Sequence, residues 1–400
     1  MTWLSSLAVL NGLKNGSLPW RPDLKKAAES LQRKLEKADT HELAVAVDAE
    51  ARSRLTAFTE GVARYNHFPR DPRPAEPPEF WRDGTTRVLD YGTSGENKQK
   101  DGPPILLVPS LINRGYILDL THKRSLARHL ANEGFRPFLV DWGAPGREEK
   151  HFDLSDYIFG RLEPAAEDIF LKTGQAPVLV GYCMGGLLTL ALAARRPEKA
   201  RALVLLATPW DFHANATANV RLLKTMAPVL TGLIDLWGEL PVDVIQTLFA
   251  SLDPYMTSEK FRRFSGLNND SAKAHHFVAL EDWLNDGVPL VAPVARECLL
   301  NWYGENAPAT GAWRTGGRLV KPSDIRMPTF VVIPDQDHIV PPESAAALAD
   351  AIPGADSMTL KAGHIGMVAG SQAPALLYKP LTNWLRKTLT KIKEEEEKIA

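Results

Sequence analysis

The sequence predicts an α/β protein with a mostly parallel central sheet and helices on both faces, preceded by a helical extension and interrupted by a helical insertion. Three observations predict it. From about Thr86, short β-branched apolar runs alternate with helix-forming segments, as in parallel sheets whose strands are buried on both faces. One run, 178–182, passes through Gly181-Tyr182-Cys183-Met184-Gly185-Gly186 directly into a helix-forming stretch that Pro197 stops. Between Pro209 and about Pro322 the alternation gives way to helix formers and aromatic residues, and it resumes at 329–333.

Taken in order, residues 1–20 form an amphipathic lead, with Trp3, Leu4, Leu7, Val9, Leu10 and Leu13 as its apolar residues. Docking on the body of the protein is the expectation, and contact with a lipid or polymer surface is the alternative. Asp23 reads as the N-cap of a helix over 24–38, and a second helix follows over 42–65. The proline-rich stretch 69–78 reads as an extended linker. The boundaries expected are a helical extension and linker over 1–85, core over 86–208, a helical cap over 209–322, core again over 323–392 and a charged tail over 393–400. Core strands are predicted at 87–91, 105–108, 137–141, 178–182, 203–207, 329–333 and 358–360. Helices are predicted at 125–133, 154–173, 187–196, 343–351 and 378–392.

The composition bounds the function classes. The chain has 400 residues, 44% of them hydrophobic and 24% charged, with a formal net charge of −1. Such a balance creates no field that would recruit nucleic acid or acidic lipid. Two cysteines, Cys183 and Cys298, leave no disulfide framework and suit a reducing cytoplasm. No signal peptide is read at the N-terminus, and no apolar run suggests a transmembrane helix. His275 and His276 are adjacent, a poor spacing for metal ligands, so no metal site is expected.

The stretch around Cys183 is the G-x-S-x-G nucleophile elbow of the α/β-hydrolase fold, with Cys in place of Ser. A nucleophile on such a turn sits in a strained backbone, so Gly181 and Gly185 must leave room around it. The following helix aims its positive N-terminus at Cys183, which favours a thiolate. The Met184 N–H is then placed to stabilise an oxyanion, and the second donor is expected from the loop after strand 105–108, at the Leu111 N–H. Elbow nucleophile, acid after a later strand and histidine after the last strand are the order of an α/β-hydrolase triad. Here they give Cys183, Asp337 and His364. Asp335 competes with Asp337, which is preferred because it directly precedes His338-Ile339-Val340-Pro341. Cys298 reads as a packed thiol.

These stretches resemble the polyhydroxyalkanoate synthases, most closely the catalytic subunit of the short, two-component type. The resemblance rests on Leu111-Ile112-Asn113-Arg114-Gly115-Tyr116-Ile117-Leu118-Asp119-Leu120, Leu139-Val140-Asp141-Trp142-Gly143-Ala144-Pro145, Gly181 to Gly186, Asp337-His338-Ile339-Val340-Pro341 and Gly363-His364-Ile365. It implies an acyltransferase that makes polyester from (R)-3-hydroxyacyl-CoA and releases CoA, needing no cofactor beyond that thioester substrate. Cys183 would carry the chain, His364 would act as base and Asp337 would orient His364. The implied partners are hydroxyacyl-CoA, the polyester chain, a polymer granule surface in the cytoplasm and either a partner subunit or a second copy. The competing expectations are a cysteine hydrolase of the same fold, such as an intracellular polyester depolymerase or thioesterase, and a non-catalytic scaffold.

Overall fold

The computed structural model describes residues 9–20, 22–93, 101–215, 217–253 and 255–399. The chain divides into two compact units, Met1–Arg70 with Pro254–Val278, and Asp71–Asp253 with Ala279–Ala400.

The second unit is built on an eight-stranded sheet. Its strands are β1 (Glu79–Asp83), β2 (Thr86–Asp90), β3 (Pro104–Val108), β4 (Arg136–Asp141), β5 (Val178–Tyr182), β6 (Ala202–Leu206), β7 (Thr329–Pro334) and β8 (Asp356–Leu360). Their spatial order is β1-β2-β4-β3-β5-β6-β7-β8. β1 pairs antiparallel with β2, and β2 antiparallel with β4. From β4 to β8 every pairing is parallel. Alternation of side chains along a strand explains how both faces are filled. In β3, Leu106 and Val108 enter one apolar cluster, while Ile105 and Leu107 enter the cluster on the other face. This is the α/β-hydrolase sheet, with β5 at its centre and the Cys183 turn at the carboxyl end of β5.

Seven strands lie within two residues of their expected bounds. β1 escaped the sequence reading because Glu79-Phe80-Trp81-Arg82-Asp83 is a mostly exposed edge strand without an apolar run. The helix after Cys183 spans Met184–Arg195 and so begins three residues before the expected 187. Gly185 and Gly186 have poor helix propensity, but here they lie in the first turn and pack at close quarters. The last helix, Lys379–Ile399, runs on through the charged end and so stops seven residues beyond the expected 392. Nothing breaks that helix, and Lys393 and Glu397 pair one turn apart at 3.7 Å. Asp23 is not the cap of its helix. The helix Lys25–Leu35 is preceded by Leu24 with no side-chain cap. Asp39 instead caps Thr40–His67, accepting from the His41 and Glu42 N–H groups.

Within the second unit, the insertion contributes the helices Thr217–Trp237, Val242–Leu252 and Ala292–Arg296, the last continuing as a π-helix over Glu297–Gly304. Most of its aromatics are core: Trp210, Trp283, Trp302 and Trp313 are each 5% exposed or less. The first unit holds Leu10–Asn15, Lys25–Leu35, Thr40–His67 and Met256–Ser265. Gly61 lets Thr40–His67 approach the Phe261 carbonyl, and Arg64 donates to the Phe264 and Ser265 carbonyls at 2.7 and 2.9 Å. Trp3, Leu4 and Leu7 of the amphipathic lead lie outside the described residues.

Candidate active site

Cys183 follows β5 with φ 56° and ψ −127°, a region that side-chain-bearing residues rarely occupy. The turn is held by its neighbours. The Cys183 N–H donates to the Leu206 carbonyl of β6 at 2.8 Å, and the Gly186 N–H donates back to the Cys183 carbonyl at 2.9 Å. A Cβ on Gly181 would overlap the Gly186 backbone and the Thr189 hydroxyl, and one on Gly185 would overlap the Val108 carbonyl. The elbow therefore presses against the end of β3 with no room for a methyl group. Cys183 is half-buried and touches both apolar clusters.

Asp337 and His364 come from the loops after β7 and β8. These loops are tied together, Asp335 N–H to the Leu360 carbonyl at 2.9 Å and Gln336 N–H to the Ala362 carbonyl at 3.1 Å. His364 Nδ1 lies 2.6 Å from Asp337 Oδ2. The other oxygen, Oδ1, accepts from the Ile339 and Val340 N–H groups at 2.8 and 2.9 Å. Both side chains are buried, whereas Asp335 is exposed. Burial opposes a charge on His364. The nearby Cys183 and Asp337 side chains, with hydrogen bonds to each, outweigh it, and the imidazole is pushed up to about 10. The structure pairs His364 with Asp337, and Cys183 is among the groups that act on the same imidazole.

The raised His364 value carries a sign. Relative to an ordinary value of 6.5, the fold favours the imidazolium, so the stabilisation is fully present below that pH and is lost as pH rises through about 10. The melting-temperature gap between wild type and H364Q is expected to narrow steadily from about pH 6.5 to about pH 10. A gap independent of pH over that range would contradict the electrostatic reading.

Sequence reasoning did not foresee the part played by Tyr182. Its hydroxyl donates to the His364 backbone carbonyl at 3.1 Å, and its ring lies 5.2 Å from the imidazole at an interplanar angle of 33°. A tyrosine at the x of G-x-C reads as a core strand residue, and only the position of the loop after β8 gives it this function. Y182F strands a buried carbonyl and is expected to cost about 1 kcal/mol. A melting temperature lowered by a few degrees, with a several-fold loss of turnover, would be the measured result.

The Met184 N–H opens the nucleophile helix and makes no hydrogen bond among the described residues. The Leu111 loop is braced from two sides. Trp142 Nε1 donates to the Pro109 carbonyl at 3.1 Å, which gives the Asp141-Trp142-Gly143 strand end its role. From the insertion, Gly287 forms an antiparallel bridge with Asn113, and the Val288 N–H donates to the Ile112 carbonyl at 3.3 Å. Leu111, Trp142, Tyr157, Pro289, Leu290 and Val294 line a narrow apolar crevice beside this loop.

Cys298 lies on the π-helix and packs on the same cluster as Cys183. Burial pushes its thiol well up, and the charges of Glu297 and Cys183 add to that, so it stays protonated. Among the described residues no group of three or more His, Cys, Asp or Glu side chains is placed to hold a metal ion. No helix among them is long and apolar enough to cross a membrane.

A sheet of this order with a cysteine on the strand-to-helix turn after its central strand defines an α/β-hydrolase-fold protein. A family profile described as alpha/beta hydrolase fold matches residues 103–235. Within that class the chain belongs to the poly(3-hydroxyalkanoate) polymerase family. It is 31% identical over 291 residues to the poly(3-hydroxyalkanoate) polymerase subunit PhaC of Synechocystis, a match covering 70% of this chain and 77% of the relative. The proteins of the same name from Haloferax mediterranei and Haloarcula marismortui are 30% and 29% identical. Those matches cover 76% and 77% of this chain but 62% and 66% of the two relatives.

Proposed function

We propose that the protein is an acyltransferase that polymerises (R)-3-hydroxyacyl-CoA through a thioester on Cys183. The observation that carries the proposal is the buried His364–Asp337 pair, 2.6 Å apart, beside a cysteine on the elbow of a chain in this family. His364 Nε2 takes the thiol proton, and the thiolate attacks the acyl-CoA carbonyl. The developing oxyanion is held by the Met184 and Leu111 N–H groups, and CoA leaves with the proton. Exchange of one thioester for another is close to balanced, so the acyl group on Cys183 remains activated. The 3-hydroxyl of a second substrate then gives its proton to His364 and attacks. An ester forms, the Sγ–acyl bond breaks, and the thiolate–imidazolium pair is restored. Asp337 keeps the imidazole in the orientation and tautomer both steps need. No metal or organic cofactor has a role in this scheme.

Relatives named as polymerase subunits support a further reading, that this chain works with a second subunit. The growing polyester would then collect as a granule in the cytoplasm with the protein at its surface. The test incubates the protein, alone and with a candidate partner subunit, with (R)-3-hydroxybutyryl-CoA. CoA release with insoluble polyester is the expected result. CoA release with free hydroxy acid alone would overturn the proposal and make the protein a hydrolase.

A further inference from the structure

Trp283 is a buried tryptophan of the insertion whose indole N–H reaches out of its own segment. It stands near the end of the helix Ala272–Asn285 and is 4% exposed. Its Nε1 donates to the Arg114 carbonyl at 2.8 Å, across 169 residues of sequence. Arg114 closes the loop that leaves β3, the loop that carries Leu111. The other end of that loop is held in the same way, by Trp142 Nε1 on the Pro109 carbonyl at 3.1 Å. Two buried indoles thus fix residues 109 and 114, and Leu111 lies between them.

Between these ends the loop is drawn tight. The Ile112 N–H donates to Ser110 Oγ at 3.2 Å, and the Ile112 carbonyl accepts from the Val288 N–H at 3.3 Å. The Leu111 N–H makes no hydrogen bond among the described residues. The start of the loop rests against the nucleophile turn, since a Cβ on Gly185 would overlap the Val108 and Pro109 carbonyls. The Trp283 end is itself anchored. Gln246 Nε2 donates to the Leu284 carbonyl at 2.9 Å. Asp286 lies 3.5 Å from the Arg114 guanidinium and accepts from the Tyr116 hydroxyl. Without the indole N–H, the Arg114 carbonyl would face an apolar ring, and that end of the loop would relax away from it.

We infer that Trp283 is a positioning residue for the oxyanion: its indole N–H holds the loop 109–114 in the shape that aims the Leu111 N–H at the carbonyl oxygen under attack by Cys183. The inference rests on the proposed acyltransferase reading, in which Leu111 and Met184 supply the oxyanion donors. It adds a residue of the insertion to that reading, one that acts through the loop it grips. Trp283 touches no reacting atom and transfers no proton. Its effect falls on steps that build negative charge on a carbonyl oxygen, because such donors work only when held to within about 0.5 Å of the productive geometry. Steps at the same sulfur that build no such charge are spared.

Two reactions of Cys183, each read at that residue by mass spectrometry, separate the two kinds of step. Butyryl-CoA acylates the sulfur through an oxyanion and releases CoA. Iodoacetamide alkylates the same sulfur by displacing iodide from carbon, and no oxyanion forms. In W283F, the acylation rate is expected to fall at least about tenfold, while alkylation stays within about twofold of wild type and keeps its pH profile. If W283F does not fold, Trp283→β-(3-benzothienyl)alanine, which replaces only the indole N–H by sulfur, is expected to show the same split. Acylation that falls by less than about tenfold overturns the inference. So does alkylation that falls in step with acylation, which is what a general disturbance of the site would produce. Wild type that iodoacetamide alkylates but butyryl-CoA does not acylate overturns the acyltransferase reading itself, and the inference with it.

Discussion

Replacing Cys183 with alanine is expected to lower CoA release by on the order of 10⁴-fold or more, while the fold and melting temperature stay close to wild type. The proposed reaction has no route around the sulfur, because each acyl transfer begins and ends on it. Alanine is also the gentlest replacement at this position. The backbone at φ 56° is already accommodated around a Cβ, so only Sγ is lost. Mass spectrometry should find an acyl adduct on wild type mixed with butyryl-CoA and none on C183A. A variant that still forms the adduct, or still releases CoA at a tenth of the wild-type rate, would mean another group carries the chain. Cys298 is the obvious other thiol, and its burial keeps it protonated.

D337N is expected to be nearly as damaging, by on the order of 10³–10⁴-fold, for a reason the hydrogen bonds supply. Oδ1 of Asp337 faces two donors, the Ile339 and Val340 N–H groups, and Oδ2 faces His364 Nδ1. An asparagine satisfies the two backbone donors only by turning its carbonyl oxygen toward them. Its NH₂ then points at Nδ1. A neutral imidazole can accept there only by moving its proton to Nε2, the atom that must take the proton from Cys183. The side chain keeps its size, but the charge that helps to raise His364 is lost, so near pH 7 the melting temperature is expected to fall modestly and turnover far more. Combining D337N with C183A should add little to C183A alone, since the two act as one unit. Full additivity would show that Asp337 works elsewhere.

Much of the fold was legible because the parallel strands are short apolar runs buried on both faces, a pattern that local sequence expresses directly. Edge strand β1 was not, since its residues are mostly exposed and its place is set by pairing with β2. The start of the nucleophile helix was misread for a related reason. Gly185 and Gly186 argue against helix on propensity, but close packing against β3 and Thr208 requires them there. The residues of the candidate site could be proposed from chain order: elbow, acid loop and histidine loop each follow a strand. Asp337 could be preferred to Asp335 on the residues after it, and burial of one and exposure of the other accord with that preference. Tyr182 could not be found this way. It acts through a contact between segments 182 residues apart, and nothing in Gly-Tyr-Cys announces it.

The bridge between Asn113 and Gly287 bears on how this protein can be re-engineered. Under the proposed reaction, the insertion is a natural segment to exchange when a different acyl chain is wanted. Yet the strand-like pairing of residues 112–113 with 287–288 makes part of that insertion a wall of the loop after β3. A graft cut at 209 and 322 alone would bring in a foreign partner for Ile112 and Asn113 and shift the Leu111 N–H. Chimeras should therefore transplant residues 109–114 together with the insertion. The two stretches are distant in sequence, but they form one exchangeable module.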